Sequence, residues 1–92
     1  MKEITQEKLK KYFSITEKAL EEAKKHINKS KKEEAEEIVK MASCYLSDAK
    51  YFEKKEDWVN AFAALNYAHG WIDSGARLGI FDVKDDKLFT IK

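Results

Sequence analysis

Four polar side chains in the second half of this 92-residue chain have the types and spacing to act together: Asn66, His69, Asp73 and Arg77. His69 to Asp73 and Asp73 to Arg77 are each four residues apart, so on a helix they form one connected row. Arg77 is the single arginine among eighteen basic residues. Its planar, bidentate guanidinium is not interchangeable with lysine. Read functionally, the row binds a carboxylate or phosphate, or contacts a partner; an enzyme built on it is the weakest of these readings. Read structurally, Asp73 holds a partly buried His69, and Arg77 pairs with Asp73 or Asp82 to fasten the segment that follows. The structural reading is favoured.

Two further groups carry chemistry. Tyr67 and Trp71 form an aromatic pair of the kind on which nucleic-acid bases stack, but stacking sites come with clustered cations and only Arg77 is near in sequence. Core or tail packing is the favoured role. Lys24, Lys25, Lys29, Lys31 and Lys32, with His26, form a basic cluster that could hold phosphate. Glu33, Glu34, Glu36 and Glu37 follow at once. Cations ending one helix and acids beginning the next complement both helix dipoles, and the acids lie within a Debye length of the lysines. The cluster is therefore read first as capping and second as an RNA-binding turn.

Other chemistry is not encoded. One cysteine and two distant histidines give no zinc spacing. Neither His26 nor His69 has a glutamate three residues before it, as carboxylate-bridged metal sites in bundles require. There is no glycine-rich phosphate loop and no G-x-S-x-G elbow. No base is suggested near Cys44. No catalytic residue, metal or cofactor is assigned.

The elements that must position these residues are helices. Leu9, Tyr12, Phe13, Thr16, Ala19, Leu20, Ala23 and Ile27 recur at spacings of three and four, behind a candidate N-cap at Thr5. Ser30 to Glu33 fits the capping-box pattern and opens a second stripe of Ala35, Ile38, Ala42, Tyr45, Ala49 and Phe52. Asp57 caps a third helix bearing two adjacent stripes, Trp58-Phe62-Leu65-His69-Ile72-Ala76 and Ala61-Ala64-Ala68-Trp71-Gly75. Together these cover more than half the helix circumference, more than two neighbouring helices can bury. Either the tail after Gly79, with Ile80, Phe81, Val83, Leu88, Phe89 and Ile91, folds back over the Tyr67 and Trp71 side, or a partner covers it. Mid-helix Gly70 marks a place where a ring or backbone approaches closely, and Gly75 either does the same or lies in a fraying last turn.

The composition agrees. With 38% charged residues, 43% hydrophobic residues and no proline, the chain is too apolar for a disordered tail, and the scarcity of turn residues disfavours an all-β fold. The formal net charge of +1 steers it toward neither nucleic acid nor anionic lipid. Residues 1–32 carry +5 and residues 33–92 carry −4. A lone cysteine suits a reducing cytosol, the amino terminus lacks a signal-peptide run, and no stretch reaches the roughly 18 apolar residues of a spanning helix.

The run from Tyr45 to Val83 is distinctive. It contains Tyr67-Ala68-His69-Gly70-Trp71-Ile72-Asp73-Ser74-Gly75-Ala76-Arg77-Leu78-Gly79-Ile80-Phe81-Asp82. It resembles the archaeal domain-of-unknown-function family 357, and residues 1–44 match only as a generic amphipathic hairpin. The resemblance implies an archaeal source and a three-helix bundle, and supplies no reaction. Where the resembling pattern has a Lys-Gly-Asp turn, this chain has Lys55-Glu56-Asp57.

The expectation is a single all-α domain over 1–92, an up-down antiparallel three-helix bundle. Its helices cover roughly 5–28, 31–54 and 58–78, and an irregular tail, 79–92, packs back on the third. The expected function is a non-catalytic cytoplasmic interaction or scaffold module. It would use its C-terminal half to meet a protein partner or its own copy through the third helix, with no membrane and no nucleic acid. The alternative is a non-catalytic RNA-binding or nucleotidyltransferase-partner domain using the Lys24–Lys32 turn.

Overall fold

The computed structural model describes residues 4–89, so Ile91 of the expected tail lies outside the described residues. Helix α1 spans Gln6–Lys25, α2 spans Lys32–Lys54 and α3 spans Trp58–Arg77. They run up, down and up, as the spacing predicts. Thr5 caps α1 by accepting from the Lys8 N–H at 3.1 Å, and Asp57 caps α3 by accepting from the Asn60 N–H at 3.2 Å.

Two starts and stops differ from expectation. α1 ends at Lys25 rather than continuing to 28, because His26–Asn28 straightens to pair with the chain beyond α3. The Asp82 N–H donates to the His26 carbonyl at 2.7 Å, and the Asn28 N–H donates to the Ile80 carbonyl at 2.9 Å. The Asn28 side chain adds a bond to the Gly79 carbonyl at 3.0 Å. A capping box at Ser30 does not form. Asn28 instead caps a 3₁₀ turn, Lys29–Lys31, and takes both the Ser30 N–H and the Ser30 hydroxyl, so α2 opens at Lys31 with no side-chain cap. An Asx turn and a capping box compete for the same serine, and the turn wins because Asn28 is already fixed by Gly79.

α3 is the centre of the molecule. It packs extensively on α2 and on α1, whereas α1 and α2 scarcely meet. The small residues Ala61, Ala64, Ala68, Gly75 and Ala76 on α3 are all buried and let its neighbours close in. An exposed ion pair, Lys50 to Glu17 at 3.4 Å, also joins α1 and α2, a kind of contact worth only ~0–1 kcal/mol.

Both connections after α2 and α3 end the helix in the same way. The Asp57 N–H reaches the Phe52 carbonyl and the Glu56 N–H the Glu53 carbonyl; after α3 the Ile80 N–H reaches Gly75 and the Gly79 N–H reaches Ala76. Each is a Schellman motif with a left-handed residue, Glu56 at φ 59° and Gly79 at φ 74°. The turn without glycine therefore keeps its geometry, and a glutamate occupies the strained position.

The tail belongs to the core. Phe81 is 1% exposed and Phe89 3%, and Phe81 ranks with Leu9, Leu65 and Ile72 among the largest fully buried side chains. Burying a ring of this size contributes about 1.5–3 kcal/mol. Gly75 makes room for it: a Cβ there would lie 2.4 Å from the Phe81 ring. Gly70 does not fit the same expectation, since a Cβ there would meet nothing within 4 Å.

Candidate functional site

The candidate residues divide between two sides of α3. On the side toward α1, His69 Nδ1 lies 3.0 Å from the Thr16 hydroxyl and Nε2 lies 2.8 Å from the Leu88 carbonyl. A carbonyl only accepts, so Nε2 carries a proton. In the neutral ring Nδ1 then accepts from Thr16, whose side chain is buried at 2% exposure. The Asp73 carboxylate is 3.7 Å from the same Nε2. His69 is thus held at both nitrogens, joining α1, α3 and the returning tail. Among the described residues no buried side-chain nitrogen or oxygen lacks a partner.

The described part of the tail, to Phe89, therefore crosses the His69 side of α3, away from Tyr67 and Trp71. There a shallow apolar groove of about 700 Å³ lies between α2 and α3, lined by Ile38, Ala63, Tyr67, Gly70, Trp71 and Leu78. Asn66 and Ser74 complete its polar edge. Tyr67 is 63% exposed and Leu78 is 71% exposed. Tyr67 is braced from beneath by Tyr45, whose ring stacks on it at a centroid distance of 5.2 Å. The empty space above Gly70 forms the groove floor.

Arg77 stands apart from both sets. It is exposed, and among the described residues it forms no ion pair, with Asp82 or any other. The Asn66/His69/Asp73/Arg77 row is consequently not a single site: His69 and Asp73 face α1 and the tail, Asn66 edges the groove, and Arg77 faces outward. Lys24, Lys25, Lys29, Lys31 and Lys32 are all exposed around the α1–α2 turn, and among the described residues only Lys25 of these is ion-paired, to Glu22 at 3.9 Å. Among the described residues no group of three His, Cys, Asp or Glu side chains is placed to hold a metal ion.

Sequence reasoning missed Thr16, Asn28 and the Leu88 carbonyl. For Thr16 a signal existed. It is the polar member of the α1 stripe as His69 is of the α3 stripe, and inward polar residues on adjacent helices are natural partners for each other.

The profile of a family described as proteins of unknown function, DUF357, matches residues 11–81. The chain belongs to that family. The DUF357 match reaches back through α1, well beyond the 45–83 run that carried the resemblance in the sequence. It also ends at Phe81, so it contains the groove and the Ile27–Phe81 pairing and stops short of Leu88. No curated protein and no solved structure matches the chain. No helix among the described residues is long and apolar enough to cross a membrane.

Proposed function

We propose that this DUF357 protein is a non-catalytic interaction module of the cytoplasm that docks a protein on the α2–α3 groove. The observation that carries the reading is the uncovered apolar surface at Tyr67, Trp71 and Leu78, left bare while the tail packs on the opposite side of α3. An apolar patch around an exposed tyrosine and a half-buried tryptophan is the composition of a docking centre. His69, the most chemically capable side chain, is spent on holding the fold together. The cytoplasmic setting rests on the single exposed thiol, Cys44, which suits a reducing compartment.

The test compares two immobilised baits in an archaeal lysate, the wild type and Gly70→Glu. The glutamate projects into the groove, where nothing touches a Cβ, so the fold is kept. Proteins retained by the wild type and lost from the variant support the reading. Identical retention on both baits, together with no self-association, overturns it.

A second reading, RNA binding at the α1–α2 turn, draws on Lys24, Lys29, Lys31 and Lys32, which stand exposed and unpaired among the described residues. A gel shift at low salt, lost when these lysines are replaced, promotes it; no shift ends it.

A further inference from the structure

We propose that the occupant of the α2–α3 groove is a second copy of this chain, with the two α3 helices antiparallel about a twofold axis between Asn66 and Tyr67. The inference rests on the docking reading above and names its partner. Three observations carry it.

The first is the register. Val59, Ala63, Asn66, Tyr67, Gly70 and Ser74 are the exposed residues along the outer face of α3. A twofold axis between Asn66 and Tyr67 sets Asn66 opposite Tyr67, Ala63 opposite Gly70 and Val59 opposite Ser74. Each of these six exposed positions meets another of the six, as an isologous contact requires, while exposed Asn60 at the edge meets half-buried Asp73. Ala63, Asn66, Tyr67 and Gly70 have the i, i+3, i+4, i+7 spacing of a hole, and the Tyr67 of the second copy is the knob aimed at it. The missing side chain at Gly70 gives that ring its space.

The second is charge. The chain is 38% charged, yet α3 carries only Asp73 and Arg77 as formal charges, and its outer face from Val59 to Ser74 carries none. Such a face meets its own copy without like-charge repulsion. At its two ends stand Arg77 and Glu56, both exposed and both without an ion pair among the described residues. The same antiparallel arrangement brings the Arg77 end of each α3 to the end of the other where Glu56 lies, two residues before the helix. A crossing angle of about 20° keeps the helix ends within reach of an arginine side chain. A parallel arrangement would instead set like charges together at both ends.

The third is area. A 20-residue helix is about 30 Å long. A strip of that length and one helix diameter wide, about 10 Å, offers on the order of 300 Å² per copy, the small contact of a weak dimer that forms only at high concentration.

Sedimentation equilibrium from micromolar to millimolar protein tests the proposal, with far-UV dichroism confirming that each variant is folded. The wild type is expected to pass from monomer to dimer, and Gly70→Glu to remain monomeric throughout. Arg77→Glu and Glu56→Arg are each expected to weaken association on the order of tenfold, since each puts two like-charge pairs in the contact. The double variant Arg77→Glu/Glu56→Arg is expected to restore it. A wild type that stays monomeric at millimolar concentration overturns the proposal, and so does a dimer that the double exchange fails to restore. If the wild type is monomeric but a lysate protein still depends on Gly70, the second copy is refuted while the docking reading stands. If neither is found, both fall.

Discussion

The edge of the Phe81 ring fills the place where Gly75 would carry a side chain. A Cβ built on Gly75 lies 2.4 Å from Cε2 and 2.6 Å from Cδ2 of that ring, with Ile38 Cδ1 at 3.1 Å on the other side. Gly70, five residues earlier on the same helix, has no such neighbour. The two glycines should therefore respond to alanine with opposite signs. Gly75→Ala overpacks the core and is expected to destabilise by about 1–3 kcal/mol. Gly70→Ala gains helix propensity without a clash and is expected to stabilise by up to about 1 kcal/mol. Thermal unfolding of the two variants reads the difference directly; equal shifts would refute the contact.

His69 holds three parts of the chain through two ring nitrogens. His69→Leu leaves the buried Thr16 hydroxyl and the Leu88 carbonyl without this partner, an expected cost of about 1–3 kcal/mol. Amide hydrogen exchange should locate the damage: protection lost at residues 85–89 first, with α2 little affected. Uniform loss across all three helices would contradict a local latch.

Glu56 holds a left-handed backbone conformation that costs an ordinary residue about 1–2 kcal/mol. Glu56→Gly removes that cost and adds some unfolded-state entropy, so a net gain of about 0.5–1 kcal/mol is expected. Urea unfolding of dilute protein measures it. No gain, or a loss, would mean that the glutamate side chain stabilises the monomer in some way its exposed position does not show.

Asn28 and Ser30 separate two accounts of how α2 begins. Asn28→Ala removes the clamp on Gly79 and both bonds to Ser30, and about 1–2 kcal/mol should be lost. Ser30→Ala should lie within about 0.5 kcal/mol of the wild type, because no capping box exists to be broken. The reverse order would restore the capping box.

What the sequence made legible follows from which interactions are local. The three helices and the Thr5 and Asp57 caps depend on neighbours within one turn, and periodicity reports them. Ser30 shows the limit of local reading: its motif was satisfied in sequence, but a bond from Asn28 to a residue 51 positions away decided the outcome. The tail went to the His69 side because Ile27 pairs with Phe81, and nothing in either segment's own pattern announces that pairing. The excess apolar surface of α3 was legible as a quantity, since two stripes cannot be buried by two helices. Which part stays bare was not, because that depends on the route of the tail.

α3 being the element on which both others pack has a consequence for how the polypeptide is made. α1 and α2 are synthesised before α3 and pack on each other far less than either packs on α3. The turn between them is completed by residues 79–82, which are made only after α3. The bundle therefore cannot close until α3 and those residues have been synthesised. A stalled or truncated product ending before Trp58 would be two amphipathic helices with bare apolar stripes, a substrate for chaperones and proteases rather than a partly finished domain.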